Sequence, residues 1–144
     1  MRLVALGFAC LLSACASTYA ANPSDPVDMA AELGNRGQRY VGMGEVCDTA
    51  AGDGHRQAIV QTIRAEQQQL GVLSGLVERA YRGRASDELA AHMAAQMRTH
   101  NVSAAHFCGE VVRQAAVEMS QRTENIQTLT VTPDPFDYAR LWID

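Results

Sequence analysis

The 144-residue sequence contains no lysine; all twelve of its basic residues are arginine. The simplest cause is the codon bias of a GC-rich genome, so the arginine count is not by itself a mechanism. No apolar run approaches the ~20 residues that a membrane-spanning helix needs. The four cysteines form neither a CxxC redox pair nor a CxxCH haem-attachment motif. No GxSxG nucleophile elbow arranges the serines, histidines and aspartates for hydrolysis, no third glycine turns Gly42-Met43-Gly44 into a phosphate loop, and no internal repeat is visible. These absences remove most enzyme signatures, so the sequence predicts a protein that is not an enzyme and needs no cofactor.

The first residues say where the protein works. Arg2 is followed by "LVALGFACLL", Leu3 to Leu12, an apolar run of the length of a signal-peptide core. Directly after it stands Leu12-Ser13-Ala14-Cys15. This resembles the lipobox of bacterial lipoprotein precursors, with a leucine, two small residues and a cysteine in order at the cleavage point. The resemblance implies diacylglycerol on the Cys15 thiol, cleavage before it, and attachment to the membrane through that lipid. Ala16, in place of an aspartate that would mark inner-membrane retention, favours the periplasm-facing outer membrane. The alternative is a conventional cut after Ala20 or Ala21, giving a secreted or soluble periplasmic protein.

From Cys15 onwards the chain has 130 residues, which suits one domain able to bury its own core. Without Arg2 it carries 11 arginines against 16 acidic residues, a net charge of −5, which is unsuited to nucleic acid. Cys10 leaves with the signal and Cys15 takes the lipid. Cys47 and Cys108 remain, and in an oxidising compartment they are expected to form one disulfide. In the chain-entropy model a loop of that length is worth roughly 4 kcal/mol, less any strain.

Periodicity predicts an all-α fold of about four main helices with an irregular C-terminal tail. Residues 1–14 are the signal and 15–24 a small, polar tether. Residues 25–122 form the bundle, and 123–144 an extension docked on it. Asp25-Pro26 opens a first helix with the cap-then-proline signal, and its glycines predict a break near Gly34 to Gly37. A second helix carries the stripe Ile59, Ile63, Leu70, Leu73, Val77 and Ala80, with Gly71 and Gly75 as points of kinking. Ser86 and Ser103 cap a third and a fourth helix, the fourth ending near Arg122 and followed by a threonine-rich, non-helical stretch. The overall pattern resembles the small acid-stress chaperones of the bacterial periplasm in architecture. No motif residue accompanies that likeness, so no function is carried over.

Three groups of residues have chemical potential. Met93, Met97 and His100 share one helical face, and thioether plus imidazole suits copper. The same methionines are also needed as core apolar residues, and that reading is preferred. Arg79, Tyr81, Arg82 and Arg84 form a basic cluster suited to lipid phosphates or to a solvated helix end. Phe136, Leu141 and Trp142 are expected to dock the tail on the bundle or to contact a partner. The functional expectation is a lipid-anchored binding or structural module contacting another envelope protein, with ligand or copper binding as the alternative. Mass spectrometry of the mature N-terminus is expected to find acylated Cys15; an unmodified chain starting at Ala21 or Asn22 would exclude the anchor.

Overall fold

The helix caps written into the sequence are in place in the computed structural model, which describes residues 22–131. The Asp25 carboxylate accepts from the Val27 N–H at 2.9 Å and opens α1, Pro26–Ala51. The Ser86 hydroxyl accepts from Leu89 N–H at the start of α3, Asp87–His100, and Ser103 does the same for His106 at the start of α4, Ala104–Val131. Each satisfies a backbone donor that the first helical turn leaves open. Asn101, at φ 51°, closes α3 in the left-handed conformation that asparagine tolerates. Between α1 and α3 lie α2, His55–Gln67, and a 3₁₀ helix, Gly71–Arg82. There is no strand among the described residues, and no helix among them is long and apolar enough to cross a membrane.

Helix α1 is the hub: the 3₁₀ helix, α4 and α2 pack on it extensively, and α3 more lightly. The break expected at Gly34 to Gly37 does not occur, and α1 runs unbroken through all four of its glycines. Glycine weakens an isolated helix by up to ~1 kcal/mol. Here that cost is offset by closeness, because each of the four lies buried under a neighbour. A Cβ on Gly34 would sit 2.5 Å from the Leu76 carbonyl oxygen, one on Gly42 2.6 Å from that of Arg84, and one on Gly44 2.7 Å from the Arg56 Cα. The pair Gly42 and Gly44 therefore serves helix packing.

The second predicted helix is two elements. Its stripe is buried as expected at Ile59, Ile63, Leu70, Val77 and Ala80, but α2 stops at Gln67. Tight three-residue bonds follow, from Gln69 N–H to the Glu66 carbonyl and from Leu70 N–H to Gln67. Gly71, at φ 54°, then turns the chain. In the 3₁₀ helix that follows, Val77 and Ala80 are buried at the three-residue step of that geometry, and Gly83, just past its end, is buried one step further.

The fourth helix is longer than predicted. Residues 123–131 are helical, not irregular, so the boundary at Arg122 does not hold. The apolar face of Cys108, Val111, Ala115 and Met119 continues through Thr123 and Ile126, each 1% exposed. The later threonines turn their hydroxyls onto their own helix, Thr128 donating to the Glu124 carbonyl and Thr130 to that of Gln127. Packing and local bonding thus override a weak intrinsic propensity. Residues 1–21 and 132–144 lie outside the described residues, and with them Cys15, Phe136, Leu141 and Trp142.

Cys47 and Cys108 form the expected disulfide, with both residues fully buried and Cα atoms 5.6 Å apart. It ties the last turns of α1 to the first turns of α4. Asp48, next to it, also caps α2 from outside: its carboxylate accepts from His55 N–H at 2.8 Å and Arg56 N–H at 3.4 Å. This replaces the side-chain cap that Gly54 cannot supply. The close approach of α1 to its neighbours is tested by Gly42→Ala, which is expected to cost about 1–3 kcal/mol in chemical denaturation. Gly109→Ala, in the open on α4, should stabilise by about 0.5–1 kcal/mol. Equal effects of the two would contradict the packing account.

Candidate functional site

Helices α1 and α4 run antiparallel, as the pairings Cys47 with Cys108 and Tyr40 with Glu118 require. Away from the core they part, leaving a groove of about 330 Å³. Met43, Phe107 and Val111 form its apolar floor, and Arg36, Arg39, Tyr40, Glu110, Gln114 and Glu118 its polar walls. A second depression of about 350 Å³ continues along α4 past Val117 and Gln121, sharing Tyr40, Gln114 and Glu118 with the first. The two form one elongated surface feature. Val117 is 45% exposed within it.

Glu118 organises this face. It accepts from the Tyr40 hydroxyl at 2.6 Å on one carboxylate oxygen and from Arg122 Nε at 3.0 Å on the other. Arg36 Nε lies 3.8 Å from it and pairs with Glu32 at 3.0 Å. Burial pushes the Glu118 carboxyl up. The hydrogen bonds from Tyr40 and Arg122 and the charges of Arg122 and Arg36 together outweigh that, and hold it below the usual range. Tyr40 moves the other way. Burial, then its hydrogen bond to Glu118 and that residue's charge, push the phenol up to about 12, against the opposing pull of Arg36 and Arg122. At neutral pH the pair is therefore a protonated phenol donating to an ionised carboxylate. Arg113 is paired with Glu110 at 2.6 Å. Arg39 is exposed and has no ion pair among the described residues.

The residues singled out from sequence fall elsewhere. Met93 is 1% exposed in the core, Met97 is partly buried against it, and His100 is exposed at the end of α3. No group of three or more His, Cys, Asp or Glu side chains is placed to hold a metal among the described residues. The arginine cluster disperses. Tyr81 turns inward to donate to Gln67, with Arg64 5.8 Å above its ring, while Arg79 reaches Asn35 at 2.9 Å. Arg79 and Arg82 border a polar depression with Gln38 and Glu78. The Tyr40–Glu118 network went unnoticed in the sequence. Its local trace was the four-residue step from Glu118 to Arg122, but the partners on α1 are 78 residues away. No family model matches this chain, and no match was found among curated proteins or solved structures.

Two limbs of a stability–pH curve follow from the network. The folded pKa of Glu118 is lowered, so its contribution is fully present above the ordinary value of 4.5 and is lost as pH falls through the folded value. The folded pKa of Tyr40 is raised from 10.0 to about 12, so its contribution is present below pH 10.0 and is lost as pH rises towards 12. Urea denaturation across pH should show Glu118→Gln flattening the acid limb and Tyr40→Phe the alkaline one. Near neutral pH Glu118→Gln should cost about 1–2 kcal/mol. Curves parallel to the wild type would refute the assignment.

Proposed function

We propose that this protein is a lipid-anchored, non-catalytic binding module of the bacterial envelope. Cys15 holds it at the periplasmic face of the outer membrane, and the α1–α4 groove receives a segment of another envelope protein. The observation that carries the reading is the shape and lining of the groove. It is open to solvent and continues along α4 from Phe107 to Gln121, with apolar residues among charged ones, which suits an extended or helical segment with alternating character better than a compact metabolite. The titration behaviour of the site supports binding over acid–base chemistry. A general acid or base works best with a pKa near the operating pH; here the phenol and the carboxylate are both displaced away from neutrality. The Leu12-Ser13-Ala14-Cys15 motif supplies the location.

The experiment is site-specific photo-crosslinking in the native envelope. A crosslinker at Arg39 or Gln114 is expected to trap one discrete envelope protein. The same group at Val72, 99% exposed on the 3₁₀ helix, should not. Identical adducts at all three positions, or none in the groove, would overturn the proposal.

A further inference from the structure

Tyr81 turns away from its neighbouring arginines, but those arginines meet another across the seam between α1 and the 3₁₀ helix. Arg79 donates to the Asn35 side-chain oxygen at 2.9 Å, a neutral partner that leaves its charge uncompensated. Arg82 borders the same seam, in a depression of about 370 Å³ shared with Gln38 and Arg79. Gly83 then lies against Gln38, and the Arg84 carbonyl against Gly42, one turn further along α1. Arg39 is one turn from Asn35, on the ridge between this seam and the α1–α4 groove. All four arginines are exposed, and none has an ion pair among the described residues. Glu78 is the acid in the lining of the depression. Glu45, beyond Arg84, is engaged by the Ala85 N–H at 3.0 Å.

An apolar side chain stands at the end of the same face. Gly71, at φ 54°, turns the chain, and Val72 follows it with 99% exposure. At three residues per turn Val72 shares the outward row of Gly75 and Glu78, while Val77 and Ala80 face the core. A lone exposed valine is unremarkable. A valine in line with unpaired arginines, on a chain that is acidic as a whole, has a definite complement. Guanidinium groups pair with phosphate oxygens through parallel N–H bonds, and an aliphatic tip beside them enters the boundary of the acyl chains.

We propose that the seam of α1 with the 3₁₀ helix is a membrane-contact face. Arg79, Arg82 and Arg84 take the phosphate groups of anionic phospholipids, and Val72 enters the interface between them. Asn35 and Gln38 lie about 140° around α1 from the groove residues Arg36, Tyr40 and Met43. A domain resting on the seam therefore leaves the groove open to a partner. From the reading above this takes only the membrane location. A lipid on Cys15 would hold the face at high effective concentration, so a weak contact is enough to orient the domain.

Vesicle co-sedimentation at low salt tests this on the chain from Ala16 to Asp144, which keeps every core residue from Ala30 to Ile126 and carries no lipid of its own. Its excess of acidic residues would by itself keep it off anionic vesicles. Binding is expected to phosphatidylcholine vesicles that contain phosphatidylglycerol, and not to phosphatidylcholine alone. Arg82→Gln and Arg84→Gln should each weaken it about fivefold, and Glu78→Gln should strengthen it by a similar factor. Val72→Asp should weaken it at least as much as either arginine change. All four positions are exposed, so the circular-dichroism melt should stay where it is. No binding, binding that ignores the phosphatidylglycerol content, or binding that all four substitutions leave unchanged would overturn the proposal. Inorganic phosphate competing better than chloride at equal ionic strength would mean a discrete anion site in place of a membrane face, and would overturn it too. The partner reading of the groove is decided separately, by the crosslinks at Arg39 and Gln114.

Discussion

The bundle depends on how closely its other elements can approach α1. Four glycines leave gaps among the buried side chains of that helix, and the backbone at Leu76, Arg84 and Arg56 rests directly in them. Interiors pack near crystal density, so a single methyl group at such a contact has nowhere to go. The arrangement explains why a helix with so many poor helix formers is continuous. Its stability comes from the tertiary contacts that the glycines admit, and local propensity is a minor term.

A second constraint fixes α4 against α1. The Cys47–Cys108 bridge ties one end of the pair, and the Glu118 network sets its register further along. A covalent tie acts mainly by limiting the unfolded chain. The polar network acts on the folded state, because a shift of α4 by one residue would leave a half-buried carboxylate and a phenol without each other. Partly buried polar groups are costly when unpaired, so the network selects one alignment. The groove exists because that alignment is held while the outer edges of the two helices part.

The same physics connects the groove to the proposed anchoring. Small and polar residues predominate in the sequence between Cys15 and Asp25. A lipid on Cys15 would confine the domain to a membrane surface and raise the local concentration of any partner held there. Under that confinement a shallow, amphipathic groove is sufficient for recognition, and a deep pocket is not required. On the proposed reading, the asymmetric lining, with its acidic groups compensated and Arg39 left over, would favour an acidic segment through charge matching more than through buried area.

By itself the sequence determined what is local. Hydrogen-bonding caps at Asp25, Ser86 and Ser103 mark helix starts because a side chain one turn away satisfies the open donors, whatever the rest of the chain does. The buried stripes through Ile59, Ile63 and Met93 follow from helical periodicity, and the disulfide from having two cysteines left to pair. The tertiary structure decided everything that depends on a neighbour distant in sequence. It kept α1 whole through Gly34 and Gly37, because the glycine cost is offset only once Leu76 and Ala80 arrive. It carried α4 on through Thr123 and Ile126, where burial outweighed β-branched propensity. It also brought Tyr40 to Glu118 and so created the groove. No local pattern encodes that meeting, because the energy that selects it appears only when the two helices are already side by side.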